Sequence, residues 1–190
     1  EEGARADRLN GLSAPPRRTA ARVPSSKPRP AREDDPLRAT DLLRDDHLRV
    51  RELFDRYEAA RSLDAKRTIF RQIRGEVEAH GSIEEQVFYP ALRADGGAEA
   101  RALVRDAGEA HGEIESLLAD VAGVADATAI GPEGAEAAMD DRVADLRVAI
   151  ERHVAEEEDE ILPLAEDRLG DLRLEDLGRR MLSMKPAVPA

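Results

Sequence analysis

The sequence predicts an all-α protein: an up-down-up-down four-helix bundle with a short extra C-terminal helix and a flexible N-terminal tail. Three observations carry this prediction. Ala, Leu, Glu and Arg dominate the 190 residues while aromatics make up only 3%, a balance that favours long helices with charged faces over strands. Apolar residues recur at alternating spacings of three and four in four separate stretches, which is the period of one helix face. Short or Gly-containing connections join the stretches, and helices joined that way bury their stripes most simply as antiparallel neighbours.

Residues 1–34 are rich in Ala, Arg, Pro and Ser, lack periodicity and offer too little apolar surface to offset the entropy of ordering. They read as a flexible basic tail, whose charge would suit an anionic partner surface. Residues 1–32 carry eight Arg and Lys against three Asp and Glu, so the net charge of −12 leaves −17 for the rest of the chain. A body that acidic repels nucleic acid. No apolar run reaches the roughly 20 residues that span a bilayer, and the twin arginine Arg17-Arg18 lacks the apolar segment of an export signal. A soluble, cytoplasmic protein is the expectation.

The bundle is expected over residues 35–170, with a short helix and frayed end at 171–190. In the first segment Asp35 can cap a helix with Pro36 at its first position, or Thr40 can cap a slightly later start. Leu43, His47, Val50, Phe54 and Tyr57 form its stripe. The second segment, about 64–93, lines up Ile69, Ile73, Val77, His80, Glu84 and Val87/Phe88, and Gly96-Gly97 ends it. The third, near 98–122, lines up Leu103, Ala107, His111, Ile114, Leu118 and Val121, with Gly123 and the GPEG at 131–134 marking a loop. The fourth, near 135–168, lines up Val143, Leu146, Ile150, His153, Glu157, Ile161 and Leu164. Leu174, Leu177 and Met181 share one side of the last segment, which is expected to pack across the end of the bundle, and KPAVPA is expected to fray.

Each of the four stripes contains one histidine, and the chain has only four. With about three in seven helix positions facing the core, all four landing there by chance has a likelihood of roughly 0.03. The chain also repeats itself. HGSIEEQVFYP lies over HVAEEEDEILP, pairing His80 with His153, Glu84 with Glu157 and Pro90 with Pro163, so both read H-x3-E-x5-P. DHLRVRELF lies over AHGEIESLL, pairing His47 with His111. Two related helix pairs imply two equivalent metal half-sites close together, each with an imidazole from an odd helix and an imidazole plus a carboxylate from an even one. His and Glu at i and i+4 share a helix face. Buried unpaired, such groups would consume much of a typical 5 to 15 kcal/mol of stability, so cations are the natural compensation. With no cysteine, the ligands must be imidazole and carboxylate. Glu115, four residues after His111 where Arg51 follows His47, is a further candidate ligand at the stripe edge. Glu85 adjoins Glu84, and Glu156 and Glu158 flank Glu157, which is preferred because it mirrors Glu84. Pro90 and Pro163 remove a backbone donor just past the proposed ligands and are expected to stop or bend the helices. Phe54, Tyr57, Phe88 and Tyr89 read as packing, with an outer role open to a tyrosine hydroxyl.

At DDHLRV, HGSIEEQVFYP, EAHGEIESLL and HVAEEEDEILP the chain resembles the hemerythrin-like proteins of the HHE cation-binding family, over roughly residues 35–185. The resemblance implies a four-helix bundle holding a non-haem di-iron centre, with His47, His80, His111 and His153 as terminal ligands and Glu84 and Glu157 as bridging carboxylates. The family's oxygen carriers place H-x3-H on the third helix, where this chain has Glu115. A carboxylate there adds negative charge and hard oxygen character, which favours the ferric state and weakens reversible dioxygen binding. Ferritin-like di-iron bundles use Glu-x-x-His, and the residues three before His80, His111 and His153 are Val77, Gly108 and Ile150. The expected function is to bind or reduce a small ligand, dioxygen, nitric oxide or hydrogen peroxide, at two carboxylate-bridged iron ions. Manganese or zinc could fill such N/O sites. Non-enzymatic iron holding or redox sensing is the alternative, and a metal-free interaction bundle a third.

Overall fold

The computed structural model describes residues 37–125 and 132–185, all in helices, turns or short connections without a strand. The expected tail at 1–34, Asp35 and Pro36, and residues 186–190 of the expected frayed end at 185–190 lie outside the described residues. Helix α1 spans Ala39–Ala59 and α2 spans Leu63–Ile83. A π turn, Glu84–Phe88, follows and leads straight into α3, Tyr89–Asp95. Next come α4, Gly97–Ala125, and α5, Pro132–Glu156; a second π turn, Glu157–Ile161, leads into α6, Leu162–Met184. Among the described residues no helix is long and apolar enough to cross a membrane.

Two apolar clusters fill the bundle, and their membership gives the direction of each rod. α1 gives Leu42 and Leu43 to one cluster, then Val50, Phe54 and Tyr57 to the other. α2 runs the opposite way, with Phe70 and Ile73 in the second cluster and Ile83 in the first. α4 goes from Val104 and Ala107 back to Ile114, Leu118 and Val121, and α5 returns from Met139, Val143 and Leu146 towards Ile161 and Leu162. The rods therefore alternate up, down, up, down. His47, His80, His111 and His153 each fall where their rod passes from one cluster to the other, so they share one polar layer between two apolar ones.

Several local expectations are corrected. Arg38 occupies the N-cap of α1 without a side-chain cap bond, and Thr40, the candidate cap, is fully buried inside the helix. α4 runs through Gly123 to Ala125, and α5 begins at Pro132 within the expected GPEG loop. Neither Pro90 nor Pro163 stops its helix. Each sits in the first turn after a π turn, where a residue without an N–H lets the ladder change from i→i−5 back to i→i−4 without discarding a bond. The bonds that close the π turns run from the Tyr89 N–H to the Glu84 carbonyl and from the Leu162 N–H to the Glu157 carbonyl. One inserted residue advances the helix face by about 100°, and the buried face moves accordingly: Leu162 and Ala165 are buried while Leu164 is only partly so.

The C-terminal segment does fold back as a helix. Gly170 takes φ 70°, ψ 166° and breaks α6 sharply, a conformation that glycine adopts without a Cβ penalty. Leu174, Leu177 and Met181 then pack into the first cluster. A Cβ on Gly178 would collide with the backbone of Leu37 and Ala39, so glycine there permits the close approach to the start of α1. At the far end, the Lys66 ammonium lies 2.8 Å from Glu136 Oε1 and 2.7 Å from Asp140 Oδ2, while the Tyr57 hydroxyl donates to Asp140 Oδ1 at 3.0 Å, tying α1, α2 and α5 together.

Candidate metal centre

His47, His80, His111 and His153 are all buried, and Glu84 and Glu157 are completely so. Both carboxylates sit in the first position of a π turn, which begins as the α-helical face carrying His80 or His153 ends. The six side chains form two groups, His47 with His80 and Glu157, and Glu84 with His111 and His153; within each, one donor atom per residue lies within 4.8 Å of the others. The carboxylate of each group comes from the opposite helix pair, which corrects the expectation from the repeat that each even helix gives an imidazole and a carboxylate to the same half-site. Glu84 Oε2 nevertheless reaches imidazoles of both groups, 3.2 Å from His80 Nε2 and 3.3 Å from His111 Nε2. Glu157 Oε2 does likewise, 3.2 Å from His47 Nε2 and 3.6 Å from His153 Nε2. His111 Nε2 and His153 Nε2 are 3.1 Å apart.

His111 Nε2 and His153 Nε2 are within hydrogen-bond distance of each other, but the other atoms are close without being aimed at one another. Among the described residues His47 Nε2, His80 Nε2, both oxygens of Glu84 and Glu157 Oε2 make no hydrogen bond, although unpaired buried polar groups each cost about 1 to 3 kcal/mol or more. Separations of 3.1 to 3.6 Å approach the edges of about 3.0 to 3.4 Å that follow from metal–ligand bonds near 2.1 Å at tetrahedral or right angles. The residues therefore fit a pair of cations.

The outer nitrogens complete the pattern. His47 Nδ1 lies 2.9 Å from Glu158 Oε1, His111 Nδ1 3.0 Å from Glu85 Oε1, and His80 Nδ1 3.5 Å from Asp46 Oδ2. An acceptor on Nδ1 sets the tautomer that leaves the Nε2 lone pair facing inward, the usual arrangement of a metal-binding imidazole. The Tyr89 hydroxyl donates to Glu157 Oε1 at 2.6 Å. Burial first, and then the Glu84 and Glu157 carboxylates, raise the Tyr89 hydroxyl above its usual range, so it remains a proton donor.

Charge is out of balance in this layer. Burial works against an imidazolium at His80, but Glu84 and Glu157 outweigh it and hold the group up at about 10. At His111 burial is again opposed and exceeded, chiefly by Glu84, and the group rises to about 9. Burial dominates at His153 and lowers it. Glu157 is disfavoured as a carboxylate by burial, yet the imidazoles facing it, His47 and His80 first, pull it well below its usual range. Two carboxylates thus draw positive charge into a dry layer, which divalent cations would supply in place of protons.

Glu115, expected as a further ligand, joins neither group. It is exposed, because the buried stripe of α4 passes through His111, Ile114 and Leu118 and leaves position 115 on its flank. It lines a cavity of about 200 Å³ beside the layer, together with Gly81, Glu85, His111 and His153. Of the residues flanking Glu157, Glu156 is exposed and Glu158 backs His47. Sequence reasoning missed Asp46, and it noted Glu85 and Glu158 only as neighbours of the carboxylates. Their adjacency to a ligand was the available signal.

A family model described as the hemerythrin HHE cation binding domain matches residues 38–165, about two thirds of the chain. No curated protein and no solved structure matches.

Proposed function

Because this chain belongs to the hemerythrin HHE cation-binding family, we propose that it is a non-haem di-iron protein that binds or reduces a small ligand such as dioxygen, nitric oxide or hydrogen peroxide. One observation carries the reading: five buried imidazole and carboxylate atoms on three rods lie within reach of one another and make no hydrogen bond. His47, His80 and Glu157 would hold one iron and Glu84, His111 and His153 the other, with the two carboxylates shared across the pair. Bound iron would supply electrons to the ligand, and the resemblance of the four histidine motifs to di-iron proteins supports iron over manganese or zinc, which the same donors would also hold.

The chain's own residues support that chemistry in three ways. Asp46, Glu85 and Glu158 keep the imidazoles turned inward. Tyr89 holds one oxygen of Glu157, leaving the other free. The 200 Å³ cavity, with Ile114, Leu118 and Val77 in its wall, has room for a few atoms on a mostly apolar approach. Glu115 would tune the entrance from outside the ligand set.

Elemental analysis of protein purified without added metal tests the reading, with about two irons per chain expected. His80→Ala and Glu157→Ala should each lower that content, and unchanged loading in both would defeat the assignment. Rapid mixing of the reduced holoprotein with dioxygen, nitric oxide or peroxide then separates ligand chemistry from plain iron holding. A change of stability on oxidation without turnover would favour sensing.

A further inference from the structure

The internal repeat predicts two equal half-sites, and the ligands obey it; the residues behind them do not. Position 46, just before His47, corresponds to Ala110, just before His111. Asp46 stands on His80 Nδ1, whereas His153 Nδ1, its counterpart, is buried with no hydrogen-bond partner among the described residues. Asp46 is itself almost fully buried and its other oxygen is paired with both Arg49 and Lys185, so the C-terminal helix end braces it.

Three further differences set the two halves apart. Glu158, behind His47, is 31% exposed and paired with Arg51 at 3.4 Å, while Glu85, behind His111, is 53% exposed. The repeat partner of Arg51 is Glu115, which shares a cavity wall with Glu85 and so adds like charge where the first half has a counter-ion. Tyr89 holds Glu157 of the first group, and its repeat partner is Leu162, which has no hydroxyl to offer Glu84.

We infer that the half-sites differ in metal affinity, and that Asp46, braced by Arg49 and Lys185 and replaced in the second half by Ala110, is the positioning residue that makes the first the tighter. This rests on the two-metal reading above. Physically, an acceptor on Nδ1 sets the ring's tautomer and rotation before the metal arrives and raises its basicity, and removing such a partner typically weakens binding by about 10 to 100-fold. His153 must find its orientation without that help.

Calorimetric titration of the full metal-free chain with Co²⁺, followed in parallel by the visible absorption of the bound ion, tests this. Wild type should bind in two resolved steps of one equivalent each. Asp46→Asn should weaken the first by about 10 to 100-fold, alter the spectrum of the first equivalent and leave the second step in place. Asp46→Glu should restore part of the affinity, which a merely structural role would not predict. Ala110→Asp should strengthen the second step about tenfold and draw the two together. Lys185→Gln, which leaves Asp46 itself intact, should weaken the first step by a smaller factor and serves if Asp46→Asn does not fold. Two equivalents bound in a single step, or steps that Asp46→Asn and Ala110→Asp leave unmoved, would overturn the inequivalence and leave the two-metal reading standing. Absence of any binding would remove both.

Discussion

The chemistry turns on which atoms of each side chain are already engaged. Each imidazole has two nitrogens, and in three of the four the outer one is taken by a carboxylate, which decides where the inner lone pair points. Those carboxylates were hard to assign from the sequence because a residue adjacent to a ligand is rotated about 100° from it and meets a different rod. Glu158 and Asp46 could be assigned a target only once the neighbouring helices were in place. The six inward-facing groups themselves were legible, since His47, His80, Glu84, His111, His153 and Glu157 continue apolar stripes where leucine would otherwise stand, and all six are buried. Tyr89 illustrates the energetic stakes. Tyr89→Phe strips the donor from a fully buried Glu157 oxygen, which should cost about 1 to 3 kcal/mol and lower the melting temperature of the metal-free protein by a few degrees. Tyr57→Phe makes the same chemical change against Asp140, whose side chain is 43% exposed, so water can replace the lost bond and the loss should stay below about 1 kcal/mol. Thermal unfolding of the two variants side by side checks the contrast, and equal losses would contradict it.

At the scale of elements, two π turns do what the sequence could only hint at. The proline six residues after each carboxylate read as a breaker, and the helix in fact continues, because that residue lies where the hydrogen-bond ladder changes step. Helical period alone carries no mark of a π turn: Val87, Phe88 and Tyr89 are all apolar or aromatic and all three are buried, because the inserted residue widens the inward face. The same limit applied to Gly170, whose left-handed backbone separates the bundle from its C-terminal cover. Gln86 offers a direct test. It is exposed within the first π turn, and its side chain bonds only Ser82 Oγ among the described residues. Deleting it removes the inserted residue, so the turn should return to α-helical register while the faces of α2 and α3 keep their relative direction. Inserting one alanine after Gln86 should instead rotate α3 by about 100° relative to α2, so that Glu84 and the Phe88–Leu92 face cannot both point inward. Metal content should fall to one equivalent or less in the insertion variant and stay near wild type in the deletion variant, with helical circular dichroism near wild type in both. Equal loading of the two variants would mean that this register does not position the site.

Across the whole molecule, the polar layer divides the core. One apolar cluster holds the bundle end with α3 and the C-terminal helix, the other holds the opposite end around Phe54, Phe70 and Leu146. Between them lie six ionisable side chains whose buried charge disfavours the folded state unless it is matched. Surface ion pairs such as Arg147 with Asp55, Glu58 and Glu151 lace the rods together but are each worth less than about 1 kcal/mol, too little to offset an unmatched layer. Cations bound there would therefore act on global stability. A metal present at about a thousand times its dissociation constant adds about 4 kcal/mol, and at about 2 to 4 °C per kcal/mol for a chain of this size chelation should lower the melting temperature by about 8 to 16 °C. The loss should also be located. Amides near His80–Phe88 and His153–Ile161 are expected to lose protection against hydrogen exchange first, because their side chains carry the layer. Those around Phe54, Phe70 and Leu146 should keep theirs until the bundle opens globally. Exchange measured before and after chelation decides between this seam and a uniform softening, and equal loss of protection throughout would show that the layer is not where the fold is weakest.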